Sequence, residues 1–311
     1  MFRASNLTVT QACRQALHLP PAHGQVAGRR RPGSPTLQHG RKFVKLRHVA
    51  ILGAVFAAGL VRLGPPSITA SLAATEAKPA MSPEASAAIT RMGQTLQSKA
   101  FSFQAQTLRV YAEKDGELLH IFHTLNVTVR RPDRLLVERN GDDGPGKIVY
   151  DGKTFIVYMA DANKYFSIPV PNTIAGMMKE AMGRIGVDFP LADFLTDSPG
   201  KAFLSGVTSG RVVNTVTVDG VPCLHLFFSQ PPGINLELWV EKNDQSLPRR
   251  LIVTYRSLPG QPDFVAQFSN WNFSIHPADA DFVFQSPAGA VQVALKPVGA
   301  AGAGKAKESK P

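Results

Sequence analysis

The sequence predicts an α+β fold, a strongly curved antiparallel sheet with helices packed against one face. Three observations carry this expectation. About eleven short segments alternate apolar and polar residues, and hairpin-length turns separate them. Helical periodicity is confined to two stretches, near 83–98 and 172–197. Strands and helices do not alternate as βαβ units, which argues against a parallel sheet.

Each element has a local reason. Ser82-Pro83-Glu84 reads as a helix start, with Ser as the cap, Pro in the first turn and Glu at the positive end of the dipole. Ile89, Met92 and Leu96 then repeat at i, i+3 and i+7, giving one amphipathic helix over 83–98. From Phe101 the period becomes two. Strands are expected at 101–113 and 118–131 around a turn at 114–117, and, after Pro132, at 134–139. The segments 147–150 and 153–160 flank Asp151-Gly152, which reads as a type I′ hairpin turn, and 164–168 is a further strand. The helical interlude over 172–197 carries Ile174, Met177, Met178, Met182 and Ile185. Five strands follow, from Arg211 to Phe273, and residues 281–287 close the domain.

Composition places the domain in the chain. Of the 311 residues, 34 are Lys or Arg and 23 are Asp or Glu, a net charge of +11. That excess points to a nucleic-acid or membrane-surface partner only if it is spread over the body. It is not: residues 1–73 hold ten basic side chains and no acid, which leaves 24 bases against 23 acids in the remainder. No nucleic-acid partner is expected. Within the basic leader, residues 49–60 are uncharged and mostly apolar, a run of twelve after the cationic 41–47. A membrane-spanning helix needs about twenty such residues, whereas a signal-peptide core needs about 7–15. Ser71 and Ala73 supply small residues at −3 and −1 of a cleavage site, so export to the periplasm with cleavage near Ala73 is expected. The expected organisation is a leader over 1–73, a linker over 74–81, the folded domain over 82–295 and a disordered Gly/Ala/Lys tail over 296–311. Removing Cys13 with the leader leaves Cys223 alone, which excludes an intrachain disulfide and a four-cysteine zinc site.

Two sets of residues carry a family resemblance. Val129-Arg130-Arg131-Pro132-Asp133-Arg134-Leu135 is followed by Val149-Tyr150-Asp151-Gly152-Lys153-Thr154-Phe155. Near the end, Trp271 and Phe273 precede Asp279-Ala280-Asp281-Phe282-Val283-Phe284 and Pro287-Ala288-Gly289. In order and spacing this resembles the periplasmic lipoprotein carriers of the LolA type, and within that superfamily its predicted periplasmic members of unknown function. The resemblance covers 83 to about 292. It implies an unclosed antiparallel half-barrel whose concave face is covered by helices, enclosing an apolar cavity for acyl chains. It also implies a role for Arg131, which matches a carrier arginine that holds the helical lid closed through backbone carbonyls.

Candidate site residues follow from apolar surplus. A sheet buried on one face alternates apolar with polar, yet Phe155, Val157 and Met159 are interleaved with Ile156 and Tyr158, and Leu224, Leu226 and Phe228 with Phe227. One such face either lines a ligand cavity or is covered by other elements. Phe155, Val157, Leu224 and Leu226 are the candidates from the sheet. Ile174, Met177, Met178 and Met182 are those from the interlude, where methionine adapts to varied apolar shapes and Gly176, Gly183 and Gly186 weaken the helix. Catalytic signals fail. Gly152-Lys153-Thr154 lacks the earlier glycine and the following helix of a phosphate loop. His120 and His123 point to opposite sides of a strand, and His225 and His276 have no acidic or histidine neighbour at ligand spacing. No Gly-x-Ser-x-Gly elbow is present, and Cys223 reads as a small core residue. The expectation is a monomeric, non-enzymatic periplasmic carrier or chaperone without metal or cofactor. It would bind a lipid or acylated protein and exchange it with a membrane-bound donor or acceptor. An envelope-stress or regulatory sensor of the same fold, binding a membrane-anchored protein, is the alternative.

Overall fold

The computed structural model describes residues 80–113, 116–185 and 189–295. The leader, its cleavage site near Ala73 and the tail beyond 295 lie outside the described residues. No helix among the described residues is long and apolar enough to cross a membrane.

Helix α1 (Pro83–Leu96) begins as its sequence dictates: the Ser82 hydroxyl accepts from the Ala85 amide at 3.2 Å, with Pro83 and Glu84 in the first turn. Ala85, Ala88, Ile89, Met92 and Leu96 form its buried stripe. Six strands then run as a meander: β1 (Ala100–Ala112), β2 (Leu118–Arg130), β3 (Arg134–Gly141), β4 (Gly146–Tyr150), β5 (Thr154–Met159) and β6 (Lys164–Pro169). Helices α2 (Ile174–Ile185), α3 (Ala192–Leu195) and α4 (Pro199–Phe203) follow, one helix more than the expected interlude contains. A second meander comprises β7 (Ser209–Val218), β8 (Val221–Gln230), β9 (Ile234–Glu241), β10 (Pro248–Tyr255) and β11 (Asp263–Asn272), and β12 (Val291–Gln292) is a two-residue addition.

The strand order is β12-β6-β5-β4-β3-β2-β1-β11-β10-β9-β8-β7. The two meanders therefore join where β1 pairs with β11, and every pairing is antiparallel except β12 with β6. The two end strands do not pair with each other, so the twelve-stranded sheet is an unclosed half-barrel and the fold is α+β. Residues 101, 103, 105, 107, 109 and 111 of β1 are all buried, which identifies the concave face. Helices α2 and α3 bury Ile174, Met177, Met178, Ala181, Phe194 and Leu195 in the core that this face lines. Helix α4 lies against α1 so closely that a Cβ added at Gly93 would sit 2.9 Å from the Gly200 backbone.

Two local expectations are corrected. The turn at Asp151-Gly152 is not type I′. Tyr150 pairs with Phe155, which leaves four residues in the loop, and only Gly152 has a positive φ (+91°). The Asp151 carboxylate organises it by accepting from the amides of Lys153 (2.9 Å) and Thr154 (2.7 Å). The two-residue turn with both φ positive is Asp219-Gly220 (48° and 80°), between the paired Val218 and Val221. His225 does have an acidic neighbour: its Nε2 lies 2.7 Å from Glu237 Oε2 across β8 and β9, and its ring stacks on Trp239 at 4.0 Å. A cross-strand partner twelve residues away is invisible to ligand spacing. Among the described residues no three potential ligands gather into a metal site.

The segment that closes the domain contains no strand over 281–287. It forms a 3₁₀ turn (Asp279–Phe282) that buries Phe282 with Arg130 over its ring, and then places Phe284 against Tyr158 and Tyr165. Tyr158 belongs to the convex face, so this segment covers part of the second apolar face of β5 and β6. Phe155, Val157 and Met159 are buried on the concave side.

Candidate ligand-binding site

Between the concave face and the helices lies a cavity of about 150 Å³. Its wall comes from alternate residues of four neighbouring strands: Phe103 on β1, Leu125 and Val127 on β2, Leu135 and Val137 on β3, and Ile148 on β4. Phe155 extends that wall and Phe264 of β11 closes its far side. The cover consists of Met178 on α2 and the segment Phe189-Pro190-Leu191-Ala192 with Leu195. Met178 points inward because Ile174, Met177, Met178, Ala181 and Ile185 repeat at helical spacing. A dry cavity of about this size holds a molecule like benzene, and pockets for larger ligands run to about 300–1,000 Å³. With the helices down, a long acyl chain does not fit in full.

The candidates from the sequence fall in different places. Phe155 and Met178 line the cavity. Val157, Ile174 and Met177 are buried in the same core beside it, and Met182 is half-buried against that core. Leu224 and Leu226 are buried on β8, in the other half of the sheet, away from the lining. The residues missed lie on β1 to β4, at 189–195 and at Phe264 of β11. The alternation of β1 and β2 marked their inward side chains, but nothing local marks where helices leave space above a sheet.

One end of the cavity is polar. Thr107, Arg109, Tyr111, His123 and Arg139 line it. The guanidinium of Arg109 lies 5.4–5.9 Å from the ring centroids of Tyr111, Tyr255 and Phe264, in cation–π range of all three. Asp143 bridges Arg139 Nη1 at 2.6 Å and His123 Nε2 at 2.7 Å. Burial alone would push the Asp143 carboxyl up, but the His123 hydrogen bond and the charges of Arg139 and His123 hold it well below the usual carboxylate range.

At the other end, Arg131 sits just beyond β2 with its guanidinium against the Phe101 ring. Nε and Nη2 donate to the Thr196 carbonyl at 2.9 and 2.7 Å, Nη1 to the Ser98 carbonyl at 2.7 Å, and Nη2 also to the Phe194 carbonyl at 3.3 Å. Burial lowers its pKa to about 10 while Asp197 opposes this, so the group is fully charged at neutral pH. The adjoining Pro132 carbonyl accepts the Ile174 amide at 2.9 Å. One Arg-Pro corner thus ties the start of α2 and the end of α3 to the rim of the sheet.

No curated protein matches the sequence. Solved structures of similar architecture include an uncharacterised conserved protein of Thermus thermophilus (14% identity, 68% of this chain and 98% of that one, TM-score 0.41). A chain of the Pseudomonas aeruginosa MucA/MucB complex is similar at 16% identity over 65% of this chain and 61% of that one, with a TM-score of 0.37. A LolA superfamily protein of Nitrosomonas europaea is similar at 12% identity over 64% of this chain and 97% of that one, with a TM-score of 0.33. These likenesses bear on architecture alone. The family described as "Predicted periplasmic protein (DUF2092)" matches residues 85–296, the half-barrel with its helical cover, and the chain belongs to that family.

Proposed function

We propose that the protein is an exported, non-enzymatic periplasmic carrier or chaperone, which takes up a lipid or the acyl chain of a lipidated polypeptide between its sheet and its helices. The observation that carries this reading is the apolar cavity between concave face and helical cover, with the end of α3 hydrogen-bonded to the sheet rim by Arg131. A solid core would need no such space, and a rigid lid would not fit an acyl chain. Burial of an acyl chain contributes about 0.8 kcal/mol per methylene. A tail of ordinary length would therefore be held too tightly to leave unless the cover lifts. Arg131 acts as the latch of that cover, and Met178, Phe155 and their neighbours receive the chain. A membrane-bound donor and acceptor stand at the two ends of the transfer.

Native mass spectrometry of the protein released from its own cell envelope tests this. A mass excess equal to one acylated molecule, removed by detergent, is the expected result. Repeated recovery of the bare chain would refute the carrier reading, and recovery with a stoichiometric protein partner would replace it by a regulatory role.

A further inference from the structure

The concave face of β2 does not stop where the cavity does. Val127, Leu125 and His123 line the cavity, and at the same alternation the strand then carries Ile121 and Leu119. Their partners directly across on β1 are Arg109 and Tyr111, which both line the cavity. β3 ends at Gly141, opposite His123, so Ile121 and Leu119 have no strand on that side. Ile121 is half-buried and Leu119 is 41% exposed, so the helices do not close over this part of the face. Over the six residues from Leu125 to Leu119 the strand rises about 20 Å.

The cavity itself says what would lie there. At about 150 Å³ it is too small for a long acyl chain, so a chain seated in it has to leave by one end while the helices are down. One end is shut by Arg131, which ties α3 to the rim of the sheet. Toward Leu119 the apolar side chains instead continue out to solvent. The polar groups on the way are engaged within the protein: His123 on the Asp143 carboxylate, and Arg109 packed among three aromatic rings. A hydrocarbon passing them orphans none of them.

We propose that Ile121 and Leu119 form an outer acyl subsite. The methyl end of the cargo lies in the cavity and the middle of the chain runs over these two side chains. The polar head, or the polypeptide that bears the chain, stands beyond Leu119, where it keeps its hydration. This rests on the carrier reading and extends its site.

Displacement of a neutral fluorescent probe, N-phenylnaphthylamine, by fatty acids from hexanoate to tetradecanoate tests it on the full exported chain. On the wild type, competition should strengthen along the whole series, about two- to fourfold per added methylene, the upper figure being that of full burial. The double variant Leu119→Asn/Ile121→Asn should match the wild type for hexanoate and lose the gain for the longest chains. Leu118→Asn/Phe122→Asn alters the opposite face of the same strand, where both residues are still more exposed (45% and 56%), and should follow the wild type throughout. A wild-type series that stops rising at the length the cavity holds overturns the subsite, and this arm needs no variant to fold. So does an undiminished gain in folded Leu119→Asn/Ile121→Asn, or an equal loss in the opposite-face variant. In each of these cases the short acids still compete and the carrier reading stands. A probe that does not bind, with no competition by any acid, overturns both.

Discussion

Arg131→Leu isolates the latch. The substitution keeps an apolar stem against Phe101 and removes four hydrogen bonds to three carbonyls. Lifting α3 breaks those to Thr196 and Phe194, whereas the bond to Ser98 binds the end of α1 and is not part of that motion. A charged donor on a neutral acceptor contributes about 1.5–3 kcal/mol net. Rehydration of the exposed guanidinium and carbonyls cancels part of the gross gain, and the lowered pKa of Arg131 shows that burial already opposes its charge. The difference between closed and open cover should therefore fall by about the value of one such bond. That is about a 10- to 150-fold faster release, since 1.4 kcal/mol is tenfold. Stopped-flow dissociation of a dansyl fatty acid, chased with excess unlabelled fatty acid, reads this directly. Arg131→Lys, which keeps one charge but not the fork that spans three carbonyls, should fall between the two. An off-rate in folded Arg131→Leu within twofold of wild type would refute the latch, whatever the variant does to stability.

Met178→Asp places a carboxylate in the apolar cover, at a position 5% exposed, where an unpartnered charge costs several kcal/mol. Fatty-acid uptake should be lost while far-UV circular dichroism keeps the sheet signal, and unchanged uptake would remove α2 from the binding site. Asp143 has its folded pKa depressed, so its stabilisation is present above about pH 4, the unfolded value, and is lost as pH falls below it. Denaturant unfolding from about pH 5 to 2.5 should show a decline of up to about 1.4 kcal/mol per pH unit from this group, and Asp143→Asn should lack that component. Ser82→Ala removes the cap of α1 and should cost about 1 kcal/mol, a fall in Tm of about 2–4 °C by calorimetry. An unshifted Tm would mean that the Ser82 cap contributes nothing to stability.

The strands and the first helix were legible because their signals are local. Alternation from Phe101 onward gives β1 and β2 to within a residue, and Ser82-Pro83-Glu84 starts α1 where the structure does. The same dipeptide, Asp-Gly, misleads at 151–152, whereas at 219–220 it does form a two-residue turn. Loop length depends on the strand register, which two residues do not encode. Phe155 and Met178 could be singled out from apolar surplus, but so could Leu224 and Leu226, which are equally apolar and lie in the other half of the sheet.

By itself the sequence determined which residues extend, which coil, and which side of each strand is greasy, because those depend on neighbours one to four positions away. Only the tertiary structure decided which greasy residues face a space and which face each other. It also decided that Arg109, His123 and Arg139 share one end of that space, and that Arg131 reaches carbonyls more than sixty residues ahead of it. The physical reason is register: antiparallel pairing and helix placement bring together groups far apart in the chain, and a cavity exists only as the gap those placements leave.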